Sequence, residues 1–219
     1  MKIWAQNGGA LVLRSEMSMA RRKRVFIEGL TLHVTQRGNN KCPTFLADSD
    51  FETFLWFLHF AMRKYRFDVH SYALMSNHVH IMVTPSSPTA LARGMQSLGR
   101  RYVRYFNDRY NRTGTLWEGR YRAALITDER YWLTCLRYVE MNPVRAGLVS
   151  SPESYKWCSY RAHGLGERDP IVASHAVFDA LAMSADRRCE AWRTMCRPLR
   201  PTELENLRKS LKNGHVSSD

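Results

Sequence analysis

The sequence predicts an α+β fold of the ferredoxin-like class, an antiparallel sheet of four to five strands with helices packed on it, followed by an irregular and helical C-terminal extension. Three observations carry this reading. Four short runs between residues 29 and 126 alternate apolar and polar side chains, as half-buried strands do. Two longer segments with apolar residues at three- and four-residue spacing, the signature of amphipathic helices, separate them. The middle pair of strand-like runs is joined by only two residues, which makes them a hairpin inside a β, α, β, β, α, β, α order.

Each element follows from its residues. GLTLHVTQRG, ending at Gly38, reads as strand one. Ser49 or Asp50 is placed to cap a helix whose Phe51, Leu55, Leu58 and Met62 form one stripe and which ends near Tyr65. Phe67–Met75 and His78–Pro85 are strands two and three, with Ser76 and Asn77 between them. Thr89–Tyr110 contains no proline and carries Leu91, Met95, Leu98, Tyr102 and Phe106 on one side, with arginines on the others. Asn111–Gly114 form a turn and Tyr121–Ile126 the fourth strand. Thr127, Asp128 and Glu129 supply a cap and acidic first turn for a further helix, which Asn142–Pro143 should end because the residue before proline disfavours helical geometry. Beyond Gly147 the pattern weakens: residues 151–166 read as an irregular surface segment, Ala173–Ala182 as a short helix and Glu203–Asn213 as a basic terminal helix.

These elements divide the chain into a poorly structured N-terminal extension (1–20), a principal domain (21–150) and a C-terminal extension (151–219), irregular then helical and basic. The first 20 residues lack a clear period and Met17 and Met19 precede a basic run, as a start codon assigned too early would give. With 44% hydrophobic and 11% aromatic residues in 219, the chain has enough apolar side chains for a core, which excludes wholesale disorder and fibrous repeats. The most apolar stretch, Phe51–Met62, is broken by Glu52, Thr53 and His59 and falls short of the roughly 18 apolar residues a spanning helix needs. No signal-peptide pattern is visible, so a cytoplasmic location is expected. The five cysteines are widely spaced without a CxxC pair and are read as reduced thiols.

Charge points to the partner. Lys and Arg outnumber Asp and Glu by 33 to 20, leaving +13, an excess suited to a polyanion, with nucleic acid ahead of an anionic membrane. Eight arginines between Arg93 and Arg122 face only Asp108 and Glu118 and are interleaved with Tyr102, Tyr105, Phe106, Tyr110, Trp117 and Tyr121. That mixture offers both phosphate contacts and faces for base stacking, the combination single-strand binding uses.

Two constellations carry chemistry. On a strand, His78 and His80 project from one face while Val79, Ile81 and Val83 pack on the other, so two imidazoles stand side by side as a platform for a divalent metal. Taken alone, an HxH pair reads equally as two partly exposed histidines bonded to their neighbours, and a third ligand is needed. On the helix after strand four, Tyr138 and Asn142 are four apart and share a face beside the apolar stripe of Trp132, Leu136 and Val139. No other tyrosine has a carboxamide, carboxylate or imidazole four residues on. By itself Tyr138 reads first as a packed aromatic with a satisfied hydroxyl, and Asn142 equally as a helix-end residue.

Three separated blocks, MSNHVHIMV, GTLWEGRYRAALI and LRYVEMNPVRAGLV, make the chain resemble the REP-associated tyrosine transposases, relatives of the HUH single-strand transposases, over roughly Met19–His163. The resemblance implies the HUH endonuclease fold and a single-stranded DNA endonuclease that cleaves and rejoins one strand through a 5′-phosphotyrosine intermediate, without ATP. It implies Tyr138 as nucleophile and His78, His80 and Asn142 as ligands of a divalent metal, Mg2+ or Mn2+. Hairpins of REP palindromes are the implied DNA partner of a monomer or homodimer, with no membrane involved. Arg21, Arg22, Lys23, Arg24, Arg93, Arg100, Arg101, Arg104, Arg120 and Arg122 are then the natural DNA contacts. The competing reading is a hairpin-binding regulator of the same fold that does not cut, and a plasmid initiator or relaxase is a third.

Overall fold

A computed structural model of the chain describes residues 26–216. The basic run Arg21, Arg22, Lys23 and Arg24 and the expected N-terminal extension lie outside the described residues. Strand β1 (Leu32–Arg37) is followed by helix α1 (Asp48–Tyr65), the hairpin β2 (Phe67–Met75) and β3 (His78–Pro85), helix α2 (Ala90–Arg109), β4 (Arg122–Ile126) and helix α3 (Glu129–Glu140). The first four strands stand in the order β2-β3-β1-β4, with β1 antiparallel to both β3 and β4. This is the ferredoxin-like order expected of two split βαβ units. The fifth strand, β5 (His215–Val216), departs from the antiparallel expectation: it pairs parallel with β4, because the helix that precedes it returns the chain to the open edge of β4.

Alternation along the strands divides the interior in two. Leu32 and Val34 of β1 and Val79, Ile81 and Val83 of β3 face α1 and α2, where Phe54, Leu58, Leu98, Tyr102 and Phe106 close the larger core. Ala73, Met82 and Ala124 face the other way, against Trp132, Leu136 and Val139 of α3 and against Phe178, Trp192 and Leu207 from the C-terminal part. The start of α1 differs from expectation. Ala47 occupies the cap position, and Asp50, three residues in, accepts from the N–H groups of Leu46 (2.7 Å) and Ala47 (3.0 Å), so the capping carboxylate works from inside the first turn. Asp128 caps α3 as expected, accepting from the Tyr131 N–H at 3.0 Å.

Residues 151–166 are not an irregular surface segment. They contain a 3-10 turn (Pro152–Ser154) and helix α5 (Tyr160–Leu165), and Trp157, Cys158, Tyr160 and His163 are buried. The reason is the open edge of β2. Leu74 N donates to Trp157 O (2.9 Å) and Ser159 N to Tyr72 O (3.0 Å), so the segment satisfies backbone groups that an edge strand otherwise leaves to solvent. After α4 (Asn142–Arg145) and α5 come α6 (Ala176–Asp179), α7 (Ala185–Met195), which was not expected, and α8 (Pro201–Asn213). Among the described residues, no helix is long and apolar enough to cross a membrane, and the five cysteines are free.

Candidate active site

The register of three strands builds one polar face. Cα partners across β1 and β3 are Thr35 with His80 and Arg37 with His78, and across β1 and β4 Thr35 with Arg122 and His33 with Ala124. Residues directly opposite share a face, so His33, Thr35, Arg37, His78, His80 and Arg122 point to the side on which α3 lies. His78 and His80 stand with ring centroids 5.0 Å apart and nearly perpendicular. His80 lies beside His33 with ring planes nearly parallel and centroids 5.1 Å apart, His80 Nδ1 standing 3.0 Å from His33 Nε2. His78 Nδ1 lies 2.7 Å from the Asn77 side-chain oxygen, and the Asn77 amide nitrogen donates to the Lys41 carbonyl at 2.9 Å. That carbonyl is presented by the loop from Gly38 to Phe45, which wraps the hairpin turn through Gly38 N to Asn77 O (2.8 Å) and Thr44 N to Ser76 O (2.8 Å).

Helix α3 supplies the tyrosine. Its Trp132, Leu136 and Val139 pack down on the sheet, which places Tyr138 over the histidines: its ring meets those of His80 and His33 edge-on, at centroid distances of 5.6 and 5.9 Å. Asn142 does not continue α3. Met141 leaves helical geometry (φ −84°, ψ 1°) and Asn142 opens α4, with Pro143 in its first turn where a missing N–H costs nothing. From α4, the Arg145 guanidinium sits 4.2 Å over the Tyr138 ring and donates to the Asn142 side-chain oxygen at 2.6 Å. The Asn142 amide nitrogen is buried without a hydrogen-bond partner, so this side chain sits in a polar site that it does not fully satisfy.

Electrostatics keep the imidazoles neutral. Burial lowers His33 to about 4. Burial, with the Arg37 and Arg145 guanidiniums nearby, lowers His78 to about 4. The same burial, together with the neighbouring His33 and His78, holds His80 well below its ordinary value. A neutral imidazole is the form that ligates metals. No cluster of three or more His, Cys, Asp or Glu side chains positioned for a metal occurs among the described residues. Of the predicted ligands the structure brings together the two strand histidines; the Asn142 amide oxygen is taken up by Arg145 and Asn142 does not line the cavity that the histidines share with Tyr138, while His33 is spent on His80.

The histidines and Tyr138 line a cavity of about 320 Å³ with Arg37 and Arg122 from the sheet, Arg120 from the loop before β4 and Arg208 and Lys212 from α8; Glu118 is its one acidic wall residue. Of the sequence-predicted DNA contacts among the described residues, only Arg120 and Arg122 reach this cavity. Arg93, Arg100, Arg101 and Arg104 lie on the opposite side of the sheet, in a groove of about 800 Å³ between α1 and α2 that also exposes Phe57 and Tyr65. There Arg101 stacks on Phe60 (4.5 Å) and Arg93 on Tyr65 (5.7 Å). The two surfaces are connected. A third hollow shares Gln36, Gly119 and Arg120 with the tyrosine cavity and Arg93 and Gln96 with the arginine groove, so a furrow runs round the start of β4 from one face to the other. Sequence reading missed His33, Arg145, Arg208 and Lys212. Arg145 was within reach, standing in the NPVRAG run next to Asn142, whereas Arg208 and Lys212 join the site only through the return of α8.

A strand histidine pair and a helix tyrosine thus meet inside basic walls. The family model described as Transposase IS200 like matches residues 26–142, over half of the chain and the whole stretch from β1 to Asn142. The chain belongs to the IS200-like transposase family. It shares its fold with a solved REP-associated tyrosine transposase bound to a REP hairpin, at TM-score 0.58 and 16% identity, over 72% of this chain and 93% of that one. A putative transposase from Deinococcus radiodurans R1 is similar at TM-score 0.39 and 16% identity, covering 52% of this chain and 92% of that one. No curated protein matches the chain.

Proposed function

We propose that this IS200-like transposase cleaves and rejoins single-stranded DNA at REP-type hairpins, with Tyr138 as nucleophile. The observation that carries the reading is the meeting of Tyr138 with the histidine pair: the phenol ring stands 5.6 Å from His80, itself 5.0 Å from His78, inside one basic cavity. In the proposed step Tyr138 Oη forms a bond to phosphorus while the bond from phosphorus to the 3′ oxygen breaks. The phenol gives up its proton and the departing oxygen takes one, leaving a free 3′-hydroxyl and a 5′-phosphotyrosine. Attack by a 3′-hydroxyl on that ester reverses the step, so the bond energy is kept and no ATP is needed.

The chain's own groups divide the work. Arg37, Arg120 and Arg122 neutralise the phosphodiester and draw it into the cavity, and Arg208 and Lys212 of α8 close on it from the other side. Arg145 holds the phenol ring from behind and orients Asn142. His78 and His80 would hold a divalent metal, Mg2+ or Mn2+, with Asn142 as third ligand in place of the bond its amide oxygen makes to Arg145 here; when bound, the metal supplies Lewis-acid polarisation of a non-bridging phosphate oxygen. Mixed imidazole and amide donors suit Mn2+ better than Mg2+. The furrow to Arg93, Arg100, Arg101 and Arg104 is a path for the rest of the hairpin, whose unpaired bases can stack on the exposed aromatics.

The test is incubation with Mn2+ and a labelled single-stranded hairpin from the host's own repeats, followed by a denaturing gel. The expected result is a covalent protein–DNA adduct that Tyr138→Phe abolishes while hairpin binding persists. Salt-sensitive binding without an adduct, over several repeat hairpins and with either metal, would replace this reading by a non-cleaving hairpin-binding regulator.

A further inference from the structure

We propose that Asn77 and His33 are positioning residues that fix the tautomers of His78 and His80, leaving Nε2 of each ring as the nitrogen free to bind a metal ion. The inference rests on the metal reading above and adds to it two residues and a proton arrangement.

For His78 the argument closes from the amide. The Asn77 side-chain nitrogen is only a donor, and at 2.9 Å it faces the Lys41 carbonyl, which is only an acceptor. The orientation of the amide is thereby set, and its oxygen is the atom 2.7 Å from His78 Nδ1. An amide oxygen accepts, so Nδ1 carries the proton. A neutral imidazole has one ring proton, hence the lone pair stands on Nε2.

For His80 the same logic runs through a second histidine. Only one proton can lie between His80 Nδ1 and His33 Nε2, 3.0 Å apart, and both rings are buried and neutral. Were His33 the donor, the lone pair of His80 Nδ1 would be used in accepting and the His80 proton would sit on Nε2, so neither nitrogen could ligate. Metal binding by His80 therefore requires His80 to donate and His33 to accept, with the His33 proton on its own Nδ1. The rings are held for this exchange: their planes lie within 13° of parallel with the two nitrogens facing each other, and the β1–β3 register keeps the two strands in place beneath them. Both strand histidines thus use Nδ1 to bind an acceptor of the protein, as metal-ligating histidines do when a partner fixes their tautomer and ring direction.

The experiment uses the full chain and two readouts. Multiple-bond ¹H–¹⁵N correlation of the histidine rings in metal-free protein at neutral pH reads the tautomers directly, and the expected result is Nδ1–H for both His78 and His80. Mn2+ titration followed by electron paramagnetic resonance then compares the parent chain with His33→Leu, which has no acceptor, and His33→Gln, whose side-chain oxygen restores one. His33→Leu should weaken Mn2+ about 10- to 100-fold, with His33→Gln close to the parent. Asn77→Leu, on the half-buried hairpin turn, should show the same loss and serves if the buried His33 variants do not fold. A proton on Nε2 of either ring, parental affinity in both His33→Leu and Asn77→Leu, or a His33→Gln affinity as weak as that of His33→Leu overturns the proposal. A parent chain that binds no Mn2+ overturns the metal reading and the proposal together, and is distinguished from failure of the proposal alone, in which the parent binds and the variants do not differ.

Discussion

Glu140, two residues beyond Tyr138, is fully buried, and its carboxylate gathers three groups from the C-terminal part of the chain: Ser159 Oγ at 2.6 Å, His163 Nδ1 at 2.7 Å and Trp192 Nε1 at 2.8 Å. A carboxylate in the interior persists only where its acceptor sites are filled, and here they are filled by α5, α7 and the turn between β2's edge and α5. Glu140→Leu leaves those donors unpaired as well as removing the charge, and should cost about 3–5 kcal/mol, read as a lower urea midpoint at unchanged slope. Glu140→Gln keeps one accepting oxygen and should cost less. A Glu140→Leu variant as stable as the parent would show that packing of Trp192 alone docks this part of the chain. At this scale the sequence was uneven in what it disclosed. His78, His80, Tyr138 and Asn142 stood out because spacing and motif single them out. His33 did not, because one histidine in an alternating strand has no spacing of its own and acquires meaning only from the pairing that brings it beside His80.

At the scale of elements, the first four strands and the helices between them were legible because each buries one face of regular period, whereas α7 and β5 were not. In α7 only Cys189 and Trp192 are buried along 11 residues, too few apolar positions to form a stripe, and β5 is two residues long. Residues 151–166 were misread because their order comes from the edge of β2, not from any period of their own. Helix α2 offers a test of how tightly the elements meet. Gly94 faces β2, and a Cβ there would stand 2.4 Å from the Phe67 ring, whereas a Cβ at Gly99, one turn and a half along, would meet nothing within 4 Å. Gly94→Ala should therefore cost about 1–3 kcal/mol through overpacking, and Gly99→Ala should stabilise by about 0.5–1 kcal/mol through helix propensity. Thermal unfolding of the two variants side by side checks this. Equal effects would mean that α2 is free to shift away from the sheet.

Taken whole, the molecule presents basic side chains on both sides of one sheet, with the histidine–tyrosine cavity on one face and the arginine groove of α1 and α2 on the other. The sequence disclosed the basic stretch but not this division, because α2 is amphipathic: its apolar stripe goes to the core opposite the histidines and carries the arginines with it to the far side. If a hairpin follows the furrow past Gly119 and Arg120, both surfaces hold phosphates at once, and each neutralised phosphate contributes to the salt dependence of binding. Replacing Arg100 and Arg101 by Gln should then flatten the slope of log K against log salt by about 1.4–1.8, the sum for two contacts at about 0.7 each on single strands to 0.9 on duplex. Replacing Arg120 and Arg122 by Gln should flatten it by a similar amount. The pairs should separate in cleavage at saturating DNA. Loss of Arg120 and Arg122 slows adduct formation because they line the cavity that receives the phosphodiester, and loss of Arg100 and Arg101 leaves it unchanged because they touch only the distant part of the strand. A slope unaffected by Arg100 and Arg101 would confine the DNA to the tyrosine face and leave the far groove as a solvated basic surface. Slowed chemistry from that pair would instead mean that contact on the far side is needed to bring the strand into line with Tyr138.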